Sequence, residues 1–163
     1  MRLVVADTSP LRYLLQIDQI ELLPRLFEKI LIPSVVYDEL KHPSAPEVVR
    51  NWMNSRPDWL EVSVVSASDD PSLRALDEGE KSAIALGLSL GADLILIDDR
   101  RGAAVARDKG FEVTGTLGIL DLAARRGMVD LADALARLRT TNFRRREELF
   151  DALLKQHERG GHA

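Results

Sequence analysis

The sequence predicts an α/β fold: a parallel β-sheet sandwiched by helices in a Rossmann-like three-layer arrangement, with a helical C-terminal extension. Three observations carry this. Short aliphatic runs such as "RLVVA", "KILIP" and "DLILID" are too apolar to expose a face to water, as in buried parallel strands. Between them lie stretches with apolar residues at helical spacing. The two kinds of stretch alternate along the chain, the pattern of strands joined by helical crossovers.

Each element has its own local reason. "RLVVA" is a buried strand. Ser9 followed by Pro10 reads as a helix start, a capping hydroxyl with proline at the first helical position. "LRYLLQI" and "IELLPRLF" have helical periodicity, with Asp18 as the cap between them. "KILIP" is the second strand, and "SVVYDEL" starts a helix after Pro33. "EVVRNWM" is helical, "WLEVSVV" alternates like a strand, and "SASDDPS" is a polar loop. "EKSAIALGLSL" is a helix stopped near Gly91, followed by the strand "DLILID". "RGAAVARDK" is a helix ended by Gly110, and "FEVTG" a short strand. "LGILDLAARRG", "LADALARLR" and "RRREELFDALLKQ" are the closing helices.

A length of 163 residues suits a single domain over 1–163, with a core to about residue 125 and the helical extension over about 126–160. No apolar stretch is long enough for a membrane span, and the N-terminal run is cut off by Asp7 too early for a signal peptide. Cysteine is absent, which excludes disulfides and thiolate metal sites and fits a cytoplasmic location. With only three histidines (His42, His157 and His162), any metal would be held by oxygen. The net charge of −4 hides a basic last third, where Arg125, Arg126, Arg137, Arg139, Arg144, Arg145 and Arg146 crowd together. Together they fit a polyanion partner, although each arginine taken alone reads better as part of a solvated helix face.

The acids concentrate where open parallel sheets bind ligands, at the carboxyl ends of strands. Asp7 ends the first strand; Asp98 and Asp99 end "LILI". An aspartate there commonly starts a turn or caps a helix. Glu39 and Glu80 are less easily explained. Glu39 points between Val35 and Val36 on the apolar face of its helix, and Glu80 shares a stripe with Ala83, Ile84 and Gly87. A first-turn glutamate complements the helix dipole, but that does not turn it inward. Inward carboxylates without an inward lysine or arginine need a cation, and a hard divalent ion such as Mg²⁺ or Mn²⁺ takes oxygen ligands and water. Such an ion is the apparatus of phosphodiester hydrolysis.

"VVADTSPL", "IPSVVYDEL", "GEKSAIALG" and "LILIDDRRG" resemble, in order, the successive acidic motifs of the PIN-domain ribonucleases over about the first 125 residues. The tail from "TGTLGILDLAARRG" onward resembles a toxin-like, VapC-type subclass with a helical C-terminal extension. The resemblance implies a metal-dependent endoribonuclease, the toxin half of a toxin–antitoxin pair, with an antitoxin protein as partner. It implies Asp7 as first acid with Ser9 as its hydroxyl partner, Glu39 as second, and Glu80 where many relatives have aspartate. The last acid is Asp99, with Asp98 as the alternative metal ligand. Thr116 is either a cleft residue or a cap. Arg100 and Arg101 face RNA or open a solvated helix, and Arg144, Arg145 and Arg146 supply further RNA contacts.

A competing reading of another class is a catalytically silent PIN-like module that binds RNA or protein. An intact acid set argues against it, because phosphate binding alone favours basic residues. A phosphatase using Asp7 as nucleophile lacks a second acid two positions on, since residue 9 is Ser9. A dinucleotide-binding domain lacks the glycine-rich loop after the first strand. Apolar surfaces on "IELLPRLF" and "EVVRNWM" suggest a homodimer.

Overall fold

The computed structural model describes residues 2–66, 68–144 and 147–160. Five strands form one all-parallel sheet in the order β3-β2-β1-β4-β5: β1 (Val4–Ala6), β2 (Ile30–Pro33), β3 (Leu60–Ser63), β4 (Leu94–Leu96) and β5 (Glu112–Thr114). The helices are α1 (Thr8–Gln16), α2 (Leu22–Phe27), α3 (Ser34–Lys41), α4 (Glu47–Asn54), α5 (Glu78–Leu90), α6 (Arg100–Asp108), α7 (Thr116–Arg125), α8 (Leu131–Arg139) and α9 (Glu147–Gly160).

Strand alternation divides the core into two layers. Val4, Ala6, Ile30, Ile32, Leu94 and Leu96 face one side, where they meet α1–α4 and α7–α9. Val5, Leu31, Ile95 and Ile97 face the other, against Ala83 and Ile84 of α5 and Ala103 and Ala106 of α6. The three-layer expectation is therefore met. Leu131, Leu135, Leu138 and Phe150 of α8 and α9 join the same cluster as β1, so the helical extension shares the main core.

Two boundaries differ from the sequence reading. Helix α1 begins at Thr8 with Asp7 at its N-cap, not at Ser9, so Pro10 is the third helical residue. The first turn has no use for that N–H, which is why proline is tolerated there. Asp18 does not cap α2; it turns the chain at φ 60°, and Glu21 precedes the helix. Aspartate tolerates this left-handed conformation better than most residues. The apolar faces of α2 and α4 are spent inside the chain: Leu22, Leu23, Phe27, Val49 and Met53 are buried, leaving Val48 exposed. Among the described residues no helix is long and apolar enough to cross a membrane.

Candidate active site

The strand order reverses direction between β1 and β4, which makes their carboxyl ends the natural crevice of the sheet. Ala6 lies opposite Leu96, and the Asp7 N–H donates to the Leu96 carbonyl at 2.9 Å, holding Asp7 beside the end of β4. Its side chain is only 5% exposed, and Oδ1 is buried with no hydrogen-bond partner. Glu39 reaches the same place from the last turn of α3 and accepts a hydrogen bond from the Thr8 hydroxyl. Unlike Asp7, Glu39 is solvent-exposed, so it forms the rim of the crevice and not its floor.

Both acids lie against the start of α5. A Cβ added to Gly79 would stand 2.9 Å from Asp7 Oδ1 and 2.9 Å from Glu39 Oε1. Glycine thus lets a helix N-terminus, where anions are favoured, come up to the carboxylates. Gly79→Ala is expected to remain folded, since alanine is the better helix former by up to about 1 kcal/mol. It should nevertheless lose most of any function that needs Asp7 and Glu39 together, because the methyl occupies the space between them. Melting curves beside activity assays check this; full function in the alanine variant would show that the gap is not used.

Glu80 sits one residue on, and the sequence left its inward direction unexplained. A capping box accounts for half of it. The Glu80 N–H donates to Asp77 Oδ1 at 2.8 Å, and Glu80 Oε1 accepts from the Asp77 N–H at 3.1 Å. Oε2 is left over, buried and unpartnered, and lies 2.9 Å from where a Cβ of Gly102 would be. Glu80 therefore spans from the start of α5 to the start of α6.

Asp98 and Asp99 divide the remaining work. Asp99 caps α6, accepting from the Gly102 N–H at 2.9 Å. Asp98 serves α7, accepting from the Thr116 N–H at 2.6 Å and the Thr116 hydroxyl at 2.8 Å. Gly115, the N-cap residue of α7, has no side chain to do this, and a Cβ there would press to 2.5 Å from Asp98 Oδ1. Both aspartates are caps, as the plain reading of "IDD" expects, and both still face the acidic crevice.

The electrostatics show how crowded this crevice is. Burial raises the Asp7 carboxyl to about 7; the Thr8 N–H opposes the rise, and Asp77, Glu39 and Asp98 add to it. Glu80 is also raised, by burial first; the Asp77 N–H opposes it, and Asp99 and Asp77 push further up. Burial raises Glu39 against the pull of the Thr8 hydroxyl, and raises Asp98 against its bonds from Thr116. The buried polar side chains among the described residues are Asp7, Glu80 and Thr116, so no buried cation balances the acids.

Asp7 thus lies near Glu39 and Asp98, and Glu80 near Asp99, along the carboxyl edge of the sheet. Ser9, Arg100 and Arg144 line a cavity of about 450 Å³ there with Asp98 and Asp99, while Glu39 lines a separate one with Thr8. The expected Ser9–Asp7 hydrogen bond is not formed; the hydroxyl that reaches an acid is that of Thr8, one residue earlier. Thr116 is fully buried and acts through Asp98. Arg101 is exposed on α6 and does not line this cavity, while Arg145 and Arg146 lie outside the described residues. Missed from the sequence were Thr8, Asp77 and Gly79. Of these, Asp77 was findable, because Asp77-x-x-Glu80 is a capping-box spacing.

Among the described residues no three acidic or histidine side chains gather into a ready-made metal cage. Mg²⁺-type sites seldom need one: one or two carboxylates suffice, with water and substrate phosphate completing the octahedron. The two unpartnered oxygens, Asp7 Oδ1 and Glu80 Oε2, are donors of that kind.

A family model describing the PIN domain matches residues 3–159. No curated protein and no solved structure matches the chain. PIN domains are generally nucleases and typically use divalent metal ions. The match runs from β1 almost to the end of α9, across a parallel sheet with acids at the ends of its central strands, and the chain belongs to the PIN-domain family.

Proposed function

We propose that the chain is a metal-dependent endoribonuclease that hydrolyses RNA phosphodiesters with Mg²⁺ or Mn²⁺, acting in the cytoplasm as the toxin of a toxin–antitoxin pair. One observation carries the catalytic part: two carboxylate oxygens, Asp7 Oδ1 and Glu80 Oε2, are buried without partners, the first near Asp98 and the second near Asp99. Burying a charge is costly unless something compensates it, and no basic side chain is buried there to do so. The toxin role is supported by the resemblance of the C-terminal third.

Asp7 and Glu80 would hold the ion from the floor, with Glu39 and Asp99 at the rim. A divalent ion there would neutralise charge on the phosphate and make a water molecule more acidic. Glu39, exposed and accepting from the Thr8 hydroxyl, would take a proton from an attacking water. Arg100 and Arg144, on the open side, would receive the phosphates flanking the scissile one.

Purified protein should cut single-stranded RNA when Mg²⁺ or Mn²⁺ is supplied, stop in EDTA, and recover when excess ion is restored. Cleavage that persists in EDTA would overturn the metal reading. RNA binding without cleavage under every ion would favour the silent binding module.

A further inference from the structure

The segment 140–144, which follows α8, brings Asn142 and Arg144 to the cavity of about 450 Å³ that Asp98 and Asp99 line. Tyr13 of α1 lines the same cavity. Some of the segment's hydrogen bonds are local. The Thr140 hydroxyl donates to the Arg137 carbonyl at 2.6 Å and the Thr141 hydroxyl to the Leu138 carbonyl at 2.7 Å, while the Phe143 N–H donates to the Thr141 hydroxyl at 3.2 Å. These shape the turn after α8 without reaching the site. Tyr13 ties the same segment across the chain. Its hydroxyl donates to Asn142 Oδ1 at 3.1 Å, and its ring meets Phe143 edge-on, with centroids 5.1 Å apart. Arg12 reaches the same Oδ1 only at 3.4 Å, near the limit of a hydrogen bond.

One side chain thus holds two successive residues, and the next residue is Arg144. Arg144 is exposed and among the described residues makes no ion pair, whereas Arg125, Arg137 and Arg139 each have a carboxylate partner. Burial raises the Tyr13 hydroxyl; Arg12 opposes the rise, Asp98 adds to it and Arg144 opposes it, so the phenol lies within electrostatic reach of both the acid and the arginine.

We infer that Tyr13 is a positioning residue: it ties the segment 140–144 to α1 so that Arg144 is presented at the cavity of Asp98 and Asp99, and it acts on RNA through that arginine. The inference rests on the ribonuclease reading, which gives Arg144 a phosphate to bind. An arginine on a loose segment loses backbone as well as rotamer freedom when it grips a phosphate. On a segment already tied, the backbone part of that loss was incurred on folding. Tyrosine suits the task, since its ring packs while its hydroxyl reaches a polar partner.

The test is a double-mutant cycle on binding. The full chain carrying Asp7→Asn, in EDTA, is titrated with a short labelled single-stranded RNA and read by fluorescence anisotropy. Arg144→Gln should weaken binding about tenfold, the effect of one charge-assisted contact, and reduce the slope of log K against log salt by about 0.7. Tyr13→Phe keeps the ring and removes the bond to Asn142; it should weaken binding about three- to fivefold, with a smaller loss of slope. Asn142→Ala should do the same. In the Arg144→Gln background neither should have a further effect, because nothing is left to position. In the chain with Asp7 intact, Tyr13→Phe should raise KM and leave kcat unchanged. A tyrosine that only supported the fold would lower the melting temperature and leave the salt slope alone. Tyr37→Phe, which loses a hydroxyl bonded to Lys41 within α3, is the control and should change neither affinity nor slope. Unchanged binding in Arg144→Gln, unchanged binding in Tyr13→Phe and Asn142→Ala, or a Tyr13→Phe effect that persists in full beside Arg144→Gln would each overturn the inference. The two proposals fail separately: absence of cleavage with this coupling intact removes only the nuclease, and cleavage with independent effects removes only the positioning role.

Discussion

Asp7→Asn is expected to lower RNA cleavage by about a thousandfold or more while the protein stays folded. The proposed ion supplies several kcal/mol of transition-state stabilisation, and each 1.36 kcal/mol is about tenfold in rate. Asp7 carries one of the buried unpartnered oxygens, held beside the end of β4, where the ion would sit. Asparagine keeps the shape and removes the charge. The fold should tolerate this, because burial already disfavours the charge that is removed and the asparagine oxygen can still accept from the Thr8 N–H. Single-turnover cleavage assays beside melting curves make the comparison. Cleavage at the wild-type rate in Asp7→Asn would falsify the proposed site.

The second large effect is on stability, and its sign is set by the acids. The Asp7 carboxyl moves from 3.8 to about 7 on folding. A group whose pKa is raised in the folded state binds its proton more tightly there than in the unfolded chain. Its contribution is complete below about pH 4, falls as the pH climbs toward 7, and levels off above that. The metal-free protein should lose roughly 4 kcal/mol over that window from Asp7 alone. Glu80 acts in the same direction, since its carboxyl is also raised by burial and by its acidic neighbours. An ion that binds only the folded state returns about 2.7 kcal/mol at a hundredfold excess over its Kd, and its grip strengthens as the protons leave. Millimolar Mn²⁺ should therefore raise the thermal midpoint clearly at pH 8 and little at pH 5. In EDTA, Glu80→Gln should match or exceed wild type, since the amide oxygen keeps the bond from the Asp77 N–H while a charge is lost. It should also gain far less from Mn²⁺. Glu78→Gln, at an exposed partner of Lys81, is the control. If the two variants respond alike to Mn²⁺, Glu80 lies outside the metal site.

Much of this architecture was legible in the chain because burial on both faces leaves a strong mark. "LILI" and "RLVVA" could only be inner strands, so the acids next to them had to stand at the sheet's carboxyl edge. Glu80 was legible as an inward acid because its helical neighbours are core residues. The hidden part depends on contacts between distant segments. Thr8 bonds Glu39 across 31 residues, and Tyr13 meets Asn142 across 129. Gly79 looks like any glycine near a helix start until two carboxylates are found against it. The start of α1 was misplaced by two residues because proline fits more than one position of a first turn.

The double duty of Asp98 and Asp99 shapes how the chain can change over generations. Each accepts hydrogen bonds that begin a helix, so selection for folding alone retains an acceptor at both positions. Asparagine meets that requirement, because its carbonyl caps an N-terminus about as well as a carboxylate. At position 98 its amide can donate to the Thr116 hydroxyl in place of accepting from it. If the proposed function holds, a lineage released from it would thus drift through Asp98→Asn or Asp99→Asn with its fold intact, while alanine at either position would be purged for instability. Among descendants, an aspartate-to-asparagine exchange at this strand end would mark a chain that has kept its scaffold and abandoned its chemistry.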